Sequence, residues 1–387
     1  MSVTYAQGFR AAGVASGIKN SGKRDVALVV NDGPNHIAGV VTTQNRVFAA
    51  PVAWTRQAFD GTFHAVVLNS GGANAATGEA GFSQSQRTAE YVGASLGLGA
   101  EDVAVCSTGL IGELLPMEKM LSGVDSAVAA LSDAGGADAA EAILTTDTHS
   151  KTATYSSSHG YRMGGMVKGA GMLAPAMATM LCVITTDAVL DSALAQRALE
   201  RAINYSFNRI DSDGAMSTND TVILMASGAS GVAPDADAFT DELTNLAQDL
   251  ARQLIADAEG ASHEVKITVR GAVSEDQALI IARAISRSNL LKAAIFGNDP
   301  NWGRVISQVG TVPESMAQFD AQNIDVWFNG VQVCRASGLG DDRSNVDLAS
   351  NRLVEIVVNV NAGKEEAELW TNDLTYDYVH ENSAYSS

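Results

Sequence analysis

One segment of the chain combines a restricted backbone with a small residue that directly precedes a hydroxyl residue. From Lys168 to Leu181 the sequence reads KGAGMLAPAMATML, in which glycines and a proline constrain residues that are otherwise of buried type. Ala178-Thr179 lies within this run. If the Thr179 hydroxyl attacked the Ala178 carbonyl, an N-to-O acyl shift followed by hydrolysis would cut the chain between these two residues.

Such a cut would leave Thr179 with a free α-amine. An α-amine titrates near about 8, against about 10.4 for a lysine side chain, so it can take a proton from its own hydroxyl at neutral pH. Nucleophile and base would then belong to one residue, without a histidine triad. The alternative is that Thr179 simply packs in a buried strand or helix, and spacing alone leaves both interpretations open.

A second segment, Cys106–Gly112, contains donors suited to a developing negative charge. The Thr108 hydroxyl is followed by the Gly109 amide, and glycine lets a backbone N–H approach a ligand closely. The pair could form an oxyanion hole, or the segment could be an ordinary turn after a strand. Cys106 is a further candidate nucleophile, although no activating base lies near it in the sequence.

Other kinds of site have little support. The six histidines form no HExxH or HxH motif and none pairs with a cysteine at ligand spacing, so we expect no metal site. The chain also lacks a GxxxxGK[ST] phosphate loop. Gly169-x-Gly171-x-x-Ala174 formally fits a dinucleotide fingerprint, but Pro175 follows directly where that motif requires a helix.

Short β-rich runs alternate with alanine-rich helical patterns along most of the chain, which predicts a mixed α/β fold. The expected strands include Val26–Val30, Ala65–Leu68, Thr221–Ala226 and Val265–Val269, and the expected helices include Ser192–Asn204, Asp241–Ala258 and Gln277–Ser286.

Turn signals near the C-terminus predict two β pairs. Asn329-Gly330 accepts positive φ at both central positions of a tight turn, which is a strong hairpin signal. Asn361-Ala362-Gly363 marks a second turn. The segments expected to pair are Ile324–Phe328 with Val331–Cys334, and Leu353–Val360 with Ala367–Thr371.

The composition is that of a folded, acidic protein. The 387 residues are 46% hydrophobic and 18% charged, which is too apolar for intrinsic disorder. A formal net charge of −19 weighs against nucleic acid and anionic membrane surfaces as partners. The three cysteines form no CxxC pair and the first twenty residues lack a signal-peptide pattern, so we expect a cytoplasmic protein.

The uncharged stretch Gly169–Thr186 reaches the usual length of a membrane span. It contains Pro175 and two glycines, which favours a buried strand–turn–helix region instead.

Ten short segments form a pattern that extends in order over nearly the whole chain. They are Gly17–Lys19, Ala49–Val52, Asn69–Ala75, Cys106–Gly112, Thr145–Thr148, Lys168–Leu181, Ser217–Asp220, Glu259–Ala261, Asp299–Arg304 and Tyr378–Ser387. Together they resemble the ornithine acetyltransferase family, also called glutamate N-acetyltransferase. Each segment alone is weak, whereas ten in register are highly specific.

The resemblance implies a fold and a processing step. The fold would be α/β (mixed α+β), with the layered sheet-and-helix core of self-cleaving ornithine acetyltransferases and related aminopeptidases, and a smaller C-terminal α/β part from about residue 260. The precursor would cleave itself between Ala178 and Thr179 into an α chain, 1–178, and a β chain, 179–387. Two α and two β chains would assemble.

The resemblance also implies roles for individual residues. Thr179 would be the nucleophile, and Thr108 and Gly109 the oxyanion donors. The implied substrate-contacting residues are Thr146, Lys168, Thr179, Glu259, Asn382 and Ser387. Thr145 is an adjacent candidate, because the sequence does not show which threonine of the TTDT run faces the substrate.

Both implied substrates carry a carboxylate and an ammonium group. Lys168 would meet a carboxylate and Glu259 an ammonium group, or the two residues would only support the site. N²-acetylornithine would acylate Thr179 and release ornithine, and the amine of glutamate would then take the acetyl group to give N-acetylglutamate. No metal or cofactor is needed.

Two functional questions stay open at this point. Some members of the family also acetylate glutamate from acetyl-CoA, and the sequence does not say whether this chain does. The alternative function is that of a self-cleaving amidohydrolase or aminopeptidase of a related fold, in which water or a peptide replaces glutamate as the acceptor.

Four positions depart from residues usual in the family. Gly72 replaces an asparagine and Ala76 a cysteine, which puts a polar role of that loop in question. Ser387 replaces threonine and keeps a hydroxyl, and Met216 replaces a small polar residue.

Overall fold

The computed structural model describes residues 2–174 and 180–384. The chain divides into two compact units, each with strands and helices. Among the described residues, the first unit comprises those up to Asn208 and Ala215–Leu254, and the second comprises Arg209–Gly214 and those from Ile255 onward. The predicted mixed α/β fold class is confirmed.

The first unit contains most of the secondary structure. Its strands are β1 Phe9–Val14, β2 Val26–Asn31, β3 Ile37–Thr42, β4 Ala65–Ser70, β5 Val103–Thr108, β6 Lys151–Ser156, β7 Arg162–Lys168, β8 Leu181–Thr186 and β9 Thr221–Ala226. Its helices are α1 Ala50–Ala58, α2 Gly78–Leu96, α3 Met117–Ala130, α4 Gly136–Ala142, α5 Ser192–Asn204 and α6 Ala236–Ala256.

The described strands of this unit form two sheets. The first has the order β1-β2-β4-β5, in which β4 and β5 are parallel and α2 makes the crossover between them. The second has the order β3-β9-β8-β7-β6, in which β8 and β9 are parallel and the remaining pairs are antiparallel.

Strand β5 shows how the two sheets are packed. Ala104 and Cys106 face a core shared with the second sheet, where they join residues such as Val183. Val103 and Val105 face a separate core formed with α1, α2 and α3. Because side chains alternate across a strand, a strand covered on both faces reads as a continuous apolar run.

Helices α5 and α6 cover the outer face of the second sheet. Strand glycines allow this close approach: a Cβ atom on Gly39 would lie 2.9 Å from the Ala195 carbonyl oxygen, and one on Gly165 would lie 2.9 Å from Leu250 Cδ1. The layers of the first unit therefore follow the order helix, sheet, sheet, helix.

The local predictions agree closely with these elements. Ser192–Asn204 and Thr221–Ala226 have the expected bounds, and the other expected strands and helices differ only at their ends. The helix expected from Asp241 begins earlier, at Ala236, because the Asp235 carboxylate accepts hydrogen bonds from the N–H groups of Asp237 and Ala238.

The prediction for Gly169–Thr186 was partly wrong. Leu181–Thr186 is strand β8, buried throughout between β7 and β9, where a helix was expected. A short apolar run that is buried on both faces has no periodicity that separates a strand from a helix. None of the described helices is long and apolar enough to cross a membrane.

The second unit is built on one mixed sheet. Its strands are β10 Glu264–Ala272, β11 Asp325–Phe328, β12 Val331–Arg335, β13 Gly338–Leu339, β14 Leu353–Asn359 and β15 Glu365–Asn372, and its helices are α7 Glu275–Ser286, α8 Asn289–Phe296, α9 Trp302–Val309 and α10 Tyr376–Ser383. The strand order is β13-β12-β11-β14-β10-β15. Helices α7, α8 and α9 contribute apolar residues to the core on this sheet.

One of the two predicted β pairs is confirmed. Strands β11 and β12 pair, and Asn329 and Gly330 have φ values of 45° and 85°. The second pairing was wrong, because β10 lies between β14 and β15. The N–H groups of Ala362 and Gly363 both donate to the Gly271 carbonyl at 2.7 Å, so the predicted turn crosses the end of β10.

Candidate active site

Strand β5 delivers Thr108 and Gly109 to one end of the first sheet. The carbonyl of Thr108 accepts the N–H groups of Gly71 at 2.9 Å and Gly72 at 3.0 Å. In a trans peptide the C=O and the following N–H point in opposite directions, so these bonds fix the N–H of Gly109 away from the 71–72 loop. A Cβ atom on Gly109, whose φ is 130°, would lie 2.5 Å from the Gly72 nitrogen, so the position requires glycine.

Gly72, which stands where the resembling family usually has asparagine, makes its hydrogen bonds through main-chain atoms. The main chain of Gly72 donates to Thr108 and accepts a hydrogen bond from Asn69 Nδ2 at 3.0 Å. The polar contacts of this position therefore come from main-chain atoms, which glycine supplies as well as asparagine would.

A buried polar network lies behind these residues. Asn69 Oδ1 accepts a hydrogen bond from Ser107 Oγ at 2.6 Å, and Asn219 Nδ2 donates to the carbonyls of Ala73 at 2.7 Å and Ser107 at 2.8 Å. Asn69 and Asn219 are 0% and 4% exposed. Since buried amides bonded in this way have few alternative positions, the network holds the end of β5 and the 71–75 loop in register.

Lys168, the last residue of β7, brings a buried cation to the same place. Its Nζ donates to Thr145 Oγ1 at 2.7 Å and to Thr108 Oγ1 at 3.4 Å. An ammonium group can only donate, so the Thr108 hydroxyl accepts this hydrogen bond and keeps its own proton for another acceptor. The structure thus brings Thr108, Lys168 and Thr145 together.

Asp147 joins this cation to a second lysine. Its Oδ1 lies 2.6 Å from Lys151 Nζ and its Oδ2 lies 3.8 Å from Lys168 Nζ, and its side chain is fully buried. It also accepts the N–H groups of Gly169 at 2.6 Å and Thr145 at 3.0 Å. Burial alone would raise the pKa of Asp147, but the charges of Lys168 and Lys151 outweigh it and hold that pKa well below its usual range.

The two neighbouring threonines differ in their contacts. Thr145 bonds to Lys168, whereas the side chain of the half-buried Thr146 makes no hydrogen bond to another residue in the described part of the chain. Both stay candidates for substrate contact, because a hydroxyl without an internal partner can also serve a ligand.

Glu259 and Asn382 meet within the second unit. Asn382, on α10, donates from Nδ2 to Glu259 Oε2 at 2.9 Å and to the Tyr378 carbonyl at 3.0 Å. Glu259 is 9% exposed. These two residues, implied only by resemblance, are thus direct neighbours although they are far apart in the sequence.

Ala178, Thr179 and Ser387 lie outside the described residues. The first described residue after Thr179 is Met180, whose N–H donates to Asp220 Oδ1 at 3.0 Å and whose carbonyl accepts the N–H of Thr221 at 3.2 Å. Asp220 is fully buried, and no described residue forms a hydrogen bond of normal length with its Oδ2. Burial raises the pKa of Asp220 well above its ordinary value, although the Met180 N–H and the nearby Ser217 act in the opposite direction.

Cys106 is not placed to act as a nucleophile. Its side chain faces the core between the two sheets, and burial raises the pKa of the thiol to about 12. A buried thiol in that state is not a nucleophile at neutral pH.

Comparison with known proteins decides the family. A model of the ArgJ family matches residues 10–387. The chain belongs to the ArgJ family. The arginine biosynthesis bifunctional proteins ArgJ of Bifidobacterium longum and Thermobifida fusca are 56% and 57% identical to it, each over 100% of both chains. A crystal structure of ornithine acetyltransferase complexed with ornithine, from Mycobacterium tuberculosis, is 51% identical, covers 46% of this chain and 96% of that chain, and has a TM-score of 0.44.

Membership of the ArgJ family confirms the resemblance found in the sequence. It also confirms that the chain is an enzyme, an ornithine acetyltransferase of arginine biosynthesis. The roles given to individual residues stay predictions.

The motifs shared with the ArgJ family did not single out every residue at this site. Asp147, Lys151, Asn219 and Asp220 had no predicted role. Three of them lie inside the TTDT and STND segments, so a search for buried polar residues beside the named candidates could have found them. Lys151 lies outside every segment, and only its ion pair with Asp147 identifies it.

Proposed function

We propose that the chain transfers the acetyl group of N²-acetylornithine to glutamate through an acetyl ester on Thr179. The observation that carries this proposal is the convergence of Thr108 and Gly109, two candidate oxyanion donors, with the buried ammonium group of Lys168. A carbonyl oxygen that gains negative charge needs hydrogen-bond donors such as Thr108 and Gly109. The carboxylate of an amino-acid substrate needs a cation such as Lys168 beside them.

The first step in this proposal is self-cleavage. The Thr179 hydroxyl attacks the carbonyl carbon of Ala178, the peptide nitrogen leaves as the α-amine of Thr179, and an ester joins the two residues. Water then hydrolyses the ester. The products are a chain 1–178 that ends in a carboxylate and a chain 179–387 that begins with Thr179.

Acetyl transfer follows with the same residue. The α-amine of Thr179 takes the hydroxyl proton while the oxygen attacks the acetyl carbonyl of N²-acetylornithine. The Thr108 hydroxyl and the Gly109 N–H donate to the oxyanion. The α-nitrogen of ornithine leaves with the proton, and the acetyl ester remains. The glutamate amine attacks this ester through a second oxyanion, which releases N-acetylglutamate and restores Thr179.

The charges around Lys168 support its role as the carboxylate partner. Asp147 lies between two buried ammonium groups, with Oδ1 at 2.6 Å from Lys151 Nζ and Oδ2 at 3.8 Å from Lys168 Nζ. A substrate carboxylate beside Lys168 would gain a charge-assisted hydrogen bond, which is stronger than a neutral one. Thr146 and its neighbour Thr145 are the hydroxyl candidates next to this carboxylate.

The remaining substrate contacts come from the resemblance alone. Glu259 would bind an ammonium group, and Asn382, which holds one of its carboxylate oxygens, would fix its orientation. Ser387 would add a hydroxyl. Acetyl-CoA as a second donor, an assembly of two α and two β chains and a cytoplasmic location belong to the same proposal.

The test combines a mass measurement with a transfer assay. The intact mass under denaturing conditions should show two chains, the second beginning at Thr179, and the purified protein should move acetyl from N²-acetylornithine to glutamate. Thr179→Ala should give one uncut chain and no transfer. Thr311→Ala, which changes an exposed threonine, is the control and should behave as wild type.

Two results would contradict the proposal. Cleavage in Thr179→Ala would remove Thr179 as the nucleophile. Release of free acetate at the same rate with and without glutamate would indicate the amidohydrolase alternative.

A further inference from the structure

Another lysine, Lys19, lies beside Gly71 in the loop that bonds to the Thr108 carbonyl, and it has no role in the proposed reaction. Its backbone and stem pack on Gly71: a Cβ atom on Gly71 would lie 3.0 Å from Ile18 Cγ2 and 3.2 Å from Lys19 Cγ. The N–H of Gly71 in turn donates to the Thr108 carbonyl at 2.9 Å. One glycine therefore separates the stem of Lys19 from the backbone of the proposed oxyanion donors.

The segment that carries Lys19 is firmly held. The carboxylate of Asp25, which is fully buried, accepts the N–H of Lys19 at 3.0 Å, the N–H of Ser16 at 2.7 Å and the Ser16 hydroxyl at 2.9 Å. These bonds engage both carboxylate oxygens of Asp25 and fix the position from which the lysine side chain extends.

The ammonium group of Lys19 is only partly used within the protein. It donates to the Arg24 carbonyl at 2.8 Å, which occupies one of its three N–H donors. Within residues 2–174 and 180–384, no carboxylate forms an ion pair with it. By contrast, Lys151 is fully buried against Asp147 and Lys23 is exposed.

Lys19 also shares the electrostatic environment of Lys168 and Asp147. Burial, together with the charge of Lys168, lowers the pKa of Lys19 to about 8, although Asp25 and Asp147 act in the opposite direction. At neutral pH the group is still mostly protonated. A half-buried cation that feels the repulsion of another positive charge gains from binding an anion.

We infer that Lys19 recognises the second carboxylate of a dicarboxylic acceptor, the side-chain carboxylate of glutamate. This inference rests on the proposed function, in which Lys168 takes the first carboxylate. Glutamate carries two carboxylates, whereas N²-acetylornithine and ornithine carry one. Lys19 would therefore set the acceptor specificity and leave the donor half-reaction almost unchanged.

The test separates the two half-reactions. Exchange of acetyl between N²-acetylornithine and isotopically labelled ornithine needs only the carboxylate site at Lys168. Transfer to glutamate also needs the second carboxylate site, at Lys19. Glutamine is the matched acceptor, because it replaces the side-chain carboxylate with a neutral amide of the same shape. Lys19→Met removes the charge, Lys19→Arg keeps it, and Lys23→Met is the control in the same loop.

We expect Lys19→Met to lower kcat/KM for glutamate by about 10- to 100-fold, the range of a charge-assisted hydrogen bond, mainly through KM. The ornithine exchange should change by less than about 2-fold, and the preference for glutamate over glutamine should fall by the same factor as kcat/KM. Lys19→Arg should keep much of that preference, and Lys23→Met should match wild type.

Several outcomes would overturn the inference. An unchanged glutamate-to-glutamine ratio in Lys19→Met would do so, and so would an equal loss of exchange and transfer, which would indicate that Lys19 only supports the loop. If Lys19→Met does not fold, wild type still decides: equal use of glutamate and glutamine would contradict a second carboxylate site. Failure of the proposed function would look different, because wild type itself would then show no exchange.

Discussion

The ammonium group of Lys168 donates to the hydroxyl of Thr108 at 3.4 Å, and this contact links strand β7 to the end of strand β5. It orients the Thr108 hydroxyl, because an oxygen that accepts from a lysine directs its proton elsewhere. The contact therefore connects the proposed carboxylate partner to the proposed oxyanion donor.

Removal of this hydroxyl should slow both half-reactions. We expect Thr108→Ala to lower kcat by about 10²-fold, the typical effect of losing one oxyanion donor. Thr108→Ser should keep most of the activity, because the hydroxyl is preserved. The measurement is the rate of ornithine release and of transfer to glutamate at saturating substrate. Unchanged kinetics in Thr108→Ala would remove Thr108 from the oxyanion hole.

The pair formed by Glu259 and Asn382 should act on binding rather than on turnover. Glu259→Gln removes the negative charge but keeps the shape, so we expect KM for N²-acetylornithine to rise by about 10-fold or more while kcat changes little. Asn382→Ala should have a smaller effect in the same direction. Glu264→Gln, which changes another glutamate of the second unit, is the control. A loss of kcat at saturating substrate, with KM unchanged, would contradict the ammonium-partner role.

Asp147 should be a main source of stability against acid. Its pKa is lowered in the folded protein, so its contribution is present above the unfolded value of about 3.9 and is lost as the pH falls below it. Asp147→Asn removes the buried carboxylate that lies 2.6 Å from Lys151 Nζ and 3.8 Å from Lys168 Nζ, and breaking a buried ion pair in this way should cost about 3–5 kcal/mol of the free energy of unfolding. The measurement is the denaturant midpoint between pH 3 and pH 8.

The denaturant midpoints at low pH test whether the charge of Asp147 is the cause of the stability difference. Asp147→Asn should be much less stable than wild type at pH 7, and the difference should shrink toward pH 3. Asp133→Asn, which changes an exposed aspartate of the same unit, should follow the wild-type curve. A constant difference at every pH would mean that the carboxylate charge of Asp147 is not the cause.

Local signals explain why much of the fold could be predicted. The Asn329-Gly330 turn needs positive φ at adjacent positions, and Ser192–Asn204 is an amphipathic helix that Asp191 caps at its first turn. The parallel pairing of β10 with β14 has no such signal, because it joins segments that are distant in the sequence. Two strands that are neighbours in the sequence were therefore expected to pair, although a third lies between them.

The same distinction applies to the site. Thr108, Gly109 and Lys168 were found because each lies in a motif with a recognisable composition. The role of Asp147 depends on its ion pair with Lys151, four residues along the chain, and on its contacts with Lys168 and the Gly169 N–H, which come from the distant end of β7. Burial and charge pairing of this kind arise only in the folded structure, so residue types and spacing could not show them.

Asp220 should behave as a neutral carboxylic acid next to the residue that follows Thr179. Its pKa is raised in the folded protein, so its contribution to stability is fully present below the unfolded value of about 3.9 and is lost as the pH rises toward the folded value. Asp220→Asn, which cannot ionise, should therefore be more stable than wild type at pH 8, and the gain should disappear near pH 4. It should still cleave itself, since the amide oxygen can accept the Met180 N–H that Asp220 Oδ1 accepts at 3.0 Å.

Asp220→Ala tests the hydrogen bond separately from the charge. It leaves the Met180 N–H without its acceptor, which should cost about 1–3 kcal/mol of the free energy of unfolding and slow self-cleavage. Denaturant midpoints at pH 5 and pH 8, with the fraction of cleaved chain followed over time, distinguish the two variants. Lower stability than wild type at pH 8, together with an uncut chain, would contradict the prediction for Asp220→Asn. Asp220 would then have to be ionised in the folded protein, and its Oδ2 would need a hydrogen-bond donor.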